Sequence, residues 1–273
     1  MSAASESWSV EQVLHEWPVQ AARAMLGDAA ATLQSAALPM LWHWFYFLPT
    51  PARGEIGIDG HTRLAGHGAD EPPPRRMFAA ARIQMEAPLQ LGARAQLSVA
   101  IVATRDTVGS SGPLRIVTYE HRYTQAGRSC IVEQRDIIYR GGEKLSAGAA
   151  QPAAAGNPAM SPGQRRVVTP DPVMLMRMSA LTFNSHRIHY DQDYAQHVEG
   201  YAERLVHAPL TALLLAEHLR ATGAQARRFE FKARSPLLVN EPVELLLAPG
   251  ASPVALRASG PGGHLAMEAR AWT

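Results

Sequence analysis

Between Leu181 and Asp191 the chain reads Leu-Thr-Phe-Asn-Ser-His-Arg-Ile-His-Tyr-Asp. Two histidines three positions apart stand beside an amide, a guanidinium and a carboxylate. Imidazole is the side chain best suited to moving a proton near neutral pH. Shortly downstream, Leu205-Val206-His207-Ala208-Pro209 opens an apolar helix. The first turn of a helix leaves backbone N–H groups free and carries partial positive charge. A histidine facing such a helix start can shift a proton while the N–H groups polarise a carbonyl.

Each residue also has a plainer role. His189 can be a buried, hydrogen-bonded imidazole, and Asn184 a loop-shaping amide. His186 and His189 have the spacing of a metal pair, but Tyr190-Asp191 follows and no third ligand is evident, so no metal is expected. Asp191 is placed to cap a helix beginning near Tyr194. Arg187 offers a fork to a substrate carboxylate or to a surface ion pair. His207 serves either as cap and pocket wall or as packing, and His43, inside an apolar run, reads as a core histidine.

The elements that position these residues come next. Residues 1–30 read as helical, with Ser9 as cap and Trp17-Pro18 as the stop or kink. A second helix is predicted over 38–48, where Leu38, Leu41, Trp42, Phe45 and Leu48 recur at helical spacing. Met40, Trp44 and Phe47 make it apolar all round, hence buried all round. Residues 50–76 form a long loop rich in Gly, Pro and charge, a kind that is functional or mobile in compact domains. From Met77 the period becomes two, with breaks at 109–113 and 125–127, which predicts a three-strand meander.

The order then recurs. A strand is predicted over Val173–Met178, then a helix through Leu210, Leu213, Leu214 and Leu215, a strand at Phe229 and Phe231, and a second meander over Val243–Leu247, Val254–Ala258 and Leu265–Ala271. Pro88-Leu89-Gln90-Leu91-Gly92 and Pro236-Leu237-Leu238-Val239-Asn240 occupy matching places and end on the two residue types that accept positive φ. We read a two-copy duplication: an N-terminal half over 1–145, a Gly/Ala/Pro/Ser-rich linker over 146–166 and a C-terminal half over 167–273. The fold class is α+β, with one antiparallel sheet per half around its own buried helix and the two sheets abutting.

Composition narrows the setting. The 273 residues are 47% hydrophobic and 18% charged, which excludes a disordered body. Twenty-six Lys+Arg against 24 Asp+Glu, without a basic run, argues against a nucleic-acid partner. Nearly all the cations are Arg, which permits an anionic ligand. Cys130 is the single cysteine, so no intrachain disulfide forms, and its strand-like surroundings make it a small core residue. The longest apolar run, 36–48, is shorter than the about 20 residues a bilayer needs. The expectation is a soluble cytoplasmic protein with no membrane partner.

The segment 181–189 resembles the hydratase motif of the MaoC-type, hotdog-fold enoyl-thioester hydratases, Leu-Ser-Gly-Asp-x-Asn-Pro-(Leu/Ile)-His. Together with Trp44-x-Tyr46-Phe47-Leu48 and Arg75-Arg76-Met77, it is similar to the double-hotdog hydratases of mesaconyl-C4-CoA and itaconyl-CoA and to the related mitochondrial 3-hydroxyacyl-thioester dehydratases. The resemblance implies a double hotdog, an acyl-CoA substrate, no cofactor, and further self-association as an option. By position, His189 falls on the family's catalytic histidine, Asn184 on its catalytic aspartate, and Ala208 on the glycine whose N–H forms the oxyanion site. With Asn in place of Asp, His189 carries the acid–base work and Asn184 orients water. Arg187 and His207 then complete the substrate site, while Arg75 and Arg76 meet CoA phosphates or solvent. A thioesterase or a non-catalytic acyl-CoA-binding protein on the same fold remains as an alternative.

Overall fold

The computed structural model describes residues 7–32, 36–64, 74–109, 112–141, 163–248, 250 and 252–273. The N-terminal half supplies β1 (Ser7–Val13), β2 (Arg75–Met85), β3 (Arg94–Gly109), β4 (Gly112–Gln125) and β5 (Arg128–Arg140). The C-terminal half supplies β6 (Gln164–Val168), β7 (Arg228–Ala233), β8 (Val243–Leu247), β9 (Val254–Ser259) and β10 (Leu265–Trp272). All ten join in one antiparallel sheet in the order β1-β3-β4-β5-β2-β7-β10-β9-β8-β6. The order reads the same from either edge by position in each half, with β2 and β7 pairing at the centre, Ala80 opposite Lys232. The duplication therefore closes as a fused pair. Gly92 and Asn240, at the matching turns, both have positive φ, 78° and 64°.

Among the described residues three α-helices accompany the sheet: α1 (Trp17–Leu26), α2 (Pro172–Leu181) and α3 (Ala208–Arg220). Every residue of α3 from Leu210 to Leu219 is buried, so it is the helix that the sheet wraps. Among the described residues, the N-terminal half has no equal. Its expected 38–48 helix is only a 3₁₀ turn over Trp42–Phe45, flanked by positive φ at Leu41 and Phe47. Aromatic residues gain little from helical backbone, and here their polar atoms find partners elsewhere. Trp42 Nε1 donates to Glu217 at 2.8 Å, Trp44 Nε1 to Glu133 at 2.9 Å, and His43 Nε2 lies 2.9 Å from Glu133. His43 is thus the expected core histidine, and Cys130 is buried as expected.

Three further expectations are corrected. Ser9 lies in β1, paired with Ser98 of β3, rather than at a helix cap. Trp17-Pro18 starts α1 instead of ending a helix, as proline's fixed φ favours at a first turn. Val173–Met178 lies in α2, whose start is set by the Asp171 carboxylate accepting from Met174 N–H at 2.7 Å with Pro172 behind it. Of the expected linker, residues up to 162 lie outside the described residues, and Gln164–Arg166 belong to β6.

Candidate active site

The chain leaves α2 through a tight bend with positive φ at Phe183. Asn184 Oδ1 accepts from His186 N–H at 3.0 Å and so fixes the bend. Arg187–His189 make one 3₁₀ turn. Asp191 then caps the next turn, its Oδ1 accepting from Tyr194 N–H at 3.0 Å, as its position predicts. Leu205 N–H donates to Ile188 carbonyl at 3.0 Å, which brings the start of α3 against this turn.

His189 is buried, and its Nδ1–H donates to the Leu205 carbonyl at 2.8 Å. A carbonyl only accepts, so Nε2 of the neutral ring keeps its lone pair. Burial pushes its pKa down to about 4, against the pull of that hydrogen bond. His207, the residue before α3, stacks on His189 with centroids 3.6 Å apart and planes at 19°. Its Nε2 lies 2.9 Å from Ser179 Oγ. Ala208 is the first residue of α3 and Pro209 the second, so one of the early donors is absent by residue type. The Ala208 N–H has no hydrogen-bond partner among the described residues.

Two more imidazoles extend the group. His186 meets His189 edge-on at 5.5 Å and His61 at 4.0 Å. His61 comes from the N-terminal half, in the turn Gly57-Ile58-Asp59-Gly60-His61. Asp59 is buried, and its carboxylate accepts both the backbone N–H and the Nδ1–H of His61 at 3.0 Å. Among the described residues, Nε2 of His61 and of His189 and both ring nitrogens of His186 have no hydrogen-bond partner, and Nδ1 of His207 is buried without one. Burial holds His61, His186 and His207 below the ordinary histidine value, and Arg76 presses His61 and His186 further down. The cluster is neutral at pH 7, as bases must be to accept a proton.

The donor atoms of Asp59, His61 and His186 lie within 4.8 Å of one another. Both Asp59 oxygens are already bonded to His61, and the Arg76 charge opposes a second cation. The arrangement is that of a carboxylate–imidazole pair. A separate hollow of about 660 Å³, lined by Ile101, Leu114, Val117, Tyr119 and Tyr139, contains none of the four histidines.

A cluster of neutral imidazoles at a helix start suits proton transfer beside an activated thioester, and comparison with known proteins agrees. Residues 41–239 match the model of the family described as hydroxyacyl-thioester dehydratase type 2. A mesaconyl-C4-CoA hydratase of Chloroflexus aurantiacus is 40% identical over 252 residues, 92% of this chain and 89% of that one. This chain belongs to the hydroxyacyl-thioester dehydratase type 2 family. The family member is a hydro-lyase, an enoyl-thioester hydratase or, in reverse, a dehydratase. The mitochondrial hydroxyacyl-thioester dehydratase type 2 of Schizosaccharomyces pombe is 32% identical over 130 residues, 46% of this chain and 42% of that one.

Among solved structures, a MaoC-like dehydratase from Phytophthora capsici aligns with a TM-score of 0.72 at 13% identity, over 98% of this chain and 95% of that one. A Mycobacterium tuberculosis protein described as a double hotdog aligns at 0.57 and 15% identity, over 99% and 96%. The dehydratase-family chain is therefore a double hotdog, as expected. Among the described residues no helix is long and apolar enough to cross a membrane.

Of the residues singled out in the sequence, the family member brings His189, His207 and Ala208 together. Arg187 is engaged elsewhere: Nε and Nη2 hold Asp191 at 2.9 and 2.7 Å, Nη1 reaches the Ile58 carbonyl at 3.1 Å, and the guanidinium lies 4.2 Å over Tyr194. Arg75 is tied to Glu199, Nε to Oε2 at 3.0 Å. Asp59, His61 and Ser179 were not singled out from sequence. The signal for the first two was an Asp-Gly-His turn inside a loop already marked by its length.

Proposed function

We propose that the chain hydrates a short enoyl-CoA carrying a second carboxylate, such as mesaconyl-C4-CoA or itaconyl-CoA to citramalyl-CoA, in the cytoplasm. The observation that carries the reading is the bare Nε2 of His189, held by Leu205 and His207 at the start of α3. The 40% identity to a relative that hydrates mesaconyl-C4-CoA supports the substrate class.

In this reading water bonds to the β-carbon and loses one proton to the imidazole cluster, with His189 Nε2 as first acceptor. The C=C electron pair moves toward the α-carbon and the thioester oxygen. The Ala208 N–H and the start of α3 stabilise that oxygen, one such donor being worth about 3–4 kcal/mol. A proton returned to the α-carbon completes the addition of H₂O. Asn184 spends its oxygen on the loop and keeps its NH₂ for the water oxygen. The cation for a distal carboxylate is Arg76, which acts on Asp59, His61 and His186 from β2, whereas Arg187 clamps the loop.

The test is a spectrophotometric screen of mesaconyl-C4-, itaconyl- and crotonyl-CoA with wild type and His189→Ala, the fold being checked by circular dichroism. The expected result is hydration fastest on a dicarboxylic substrate and about 10²–10⁴-fold slower in the folded variant. Free-thiol release without hydration, or a folded variant at wild-type rate, overturns the reading.

A further inference from the structure

Hydration needs two proton transfers, one from water and one to the α-carbon. His189 lies where it can take the first, but burial holds its pKa near 4, so its imidazolium is a poor resting place for the proton. Asn184, on which the resemblance of the segment places a catalytic aspartate, is an amide and can neither take nor give one. Yet a buried carboxylate does stand at the cluster, delivered from the other half of the chain.

We propose that Asp59 and His61 replace the missing carboxylate of the hydratase segment, holding as a pair the proton that water loses and the α-carbon regains. This inference rests on the hydration reading above. Three observations carry it. First, Asp59 grips His61 at Nδ1–H and at backbone N–H, both at 3.0 Å, which fixes the tautomer and leaves Nε2 as acceptor. A buried carboxylate behind an imidazole stabilises the imidazolium that forms. Second, His186 contacts both neighbours, His61 at 4.0 Å and His189 at 5.5 Å between centroids, with no partner on either ring nitrogen among the described residues. It links the site of proton uptake to the carboxylate.

Third, the turn is docked onto the hydratase segment as a built part. Arg187 N–H donates to the Asp59 carbonyl at 2.9 Å, Arg187 Nη1 to the Ile58 carbonyl at 3.1 Å, and Ser185 Oγ–H to the Gly60 carbonyl. Gly60 has φ of +89°, and a Cβ there would sit 1.8 Å from the Ser185 carbonyl oxygen, so the two backbones pass in contact. The other charged and titratable groups acting on the pair are Arg76 on β2, His186, His189 and, across Asp59, Glu199 and Tyr194.

The step balances without a further reactant. As the water oxygen bonds to the β-carbon, its proton passes to His189 Nε2 and comes to rest on His61 against Asp59. The π electrons pass to the α-carbon and thioester oxygen, and the same proton then reaches the α-carbon. Net, H and OH add across the double bond and the cluster returns to neutrality.

The experiment compares wild type, Asp59→Asn, His61→Gln and His189→Gln for kcat, KM, the pH profile of kcat/KM and melting temperature on mesaconyl-C4-CoA and crotonyl-CoA. Each Asp59 or His61 variant is expected to melt near wild type, to keep KM within a few-fold and to lose about 10²-fold or more in kcat. In Asp59→Asn the acid limb of the profile moves to lower pH, because the carboxylate that favours protonation of His61 is gone. Four results overturn the inference. His61→Gln within threefold of wild-type kcat while His189→Gln is impaired removes the pair and leaves the hydration reading standing. A wild type that hydrates nothing removes both. Loss of kcat with an unmoved acid limb assigns Asp59 a structural role only. Activity abolished by chelation and restored by Zn²⁺ makes the three side chains an ion site.

Discussion

At the scale of single residues, the proposed oxyanion donor can be deleted without touching a side chain. Ala208 is the first helical residue of α3, a position that tolerates proline because its N–H has no partner inside the helix. His207 has φ −61° and ψ 130°, the extended backbone that a following proline requires. Ala208→Pro is therefore expected to fold and melt like wild type while losing about 10²–10³-fold in kcat. Steady-state kinetics beside a thermal melt checks it, and an unchanged kcat moves the oxyanion donor elsewhere. The two arginines separate by the same logic. Arg76→Gln is expected to raise KM about tenfold or more for a dicarboxylic enoyl-CoA and to leave the KM for crotonyl-CoA unchanged, since a hydrogen bond to a charged group contributes about 1.5–3 kcal/mol. Arg187→Gln, which frees Asp191 and the Ile58 carbonyl, is expected to impair both substrates alike.

At the scale of elements, the decisive contact is between the turn 57–61 and the segment 184–187. Gly60→Ala brings two costs there, a Cβ on a positive-φ backbone and a clash with the Ser185 carbonyl. The turn must lift, taking His61 from His186. The expected outcome is a melting point lowered by a few degrees with a kcat loss approaching that of His61→Gln, measured by thermal melt and initial rates. Sequence reading could find one side of this contact and not the other. Leu181–Asp191 carries its histidines in one run, and α3 and the second meander show clean periodicity, so His189, His207 and Ala208 were legible together. Asp59 and His61 lie more than 120 residues away, and only tertiary docking makes them part of the site (Ser185 Oγ to the Gly60 carbonyl spans 125 positions). The 38–48 run failed for a different reason. Its apolar spacing was helical, but Trp42, His43 and Trp44 are held by Glu217 and Glu133 from distant elements, and those bonds outweigh a weak propensity. Asp171-Pro172 is a readable helix start ahead of α2, masked by a run of Val and Met that suggests a strand.

At the scale of the molecule, joining two halves through β2 and β7 puts histidines of both into one interior, and that has a consequence for stability. His43, His61, His121, His186, His189 and His207 are all held below the usual histidine pKa, with burial the largest cause in each, His189 to about 4 and His121 to about 3. In the unfolded chain these rings take a proton as pH falls through about 6.5. In the fold they resist it until lower pH. The unfolded state then binds more protons, so stability falls as pH drops below about 6.5, by at most about 1.4 kcal/mol per pH unit for each ring that stays neutral. Denaturant midpoints at constant salt are therefore expected to decline steeply between pH 7 and pH 5, well above the range where carboxylates titrate. His189→Gln and His207→Gln should each make that slope shallower whatever they do to stability at pH 7. In Asp59→Asn the slope should instead steepen, because His61 loses the partner that keeps its folded value closer to normal. A flat response from pH 7 to pH 5 would mean that the rings admit protons freely in the folded state, and that the interior gathered by the duplication is open to water.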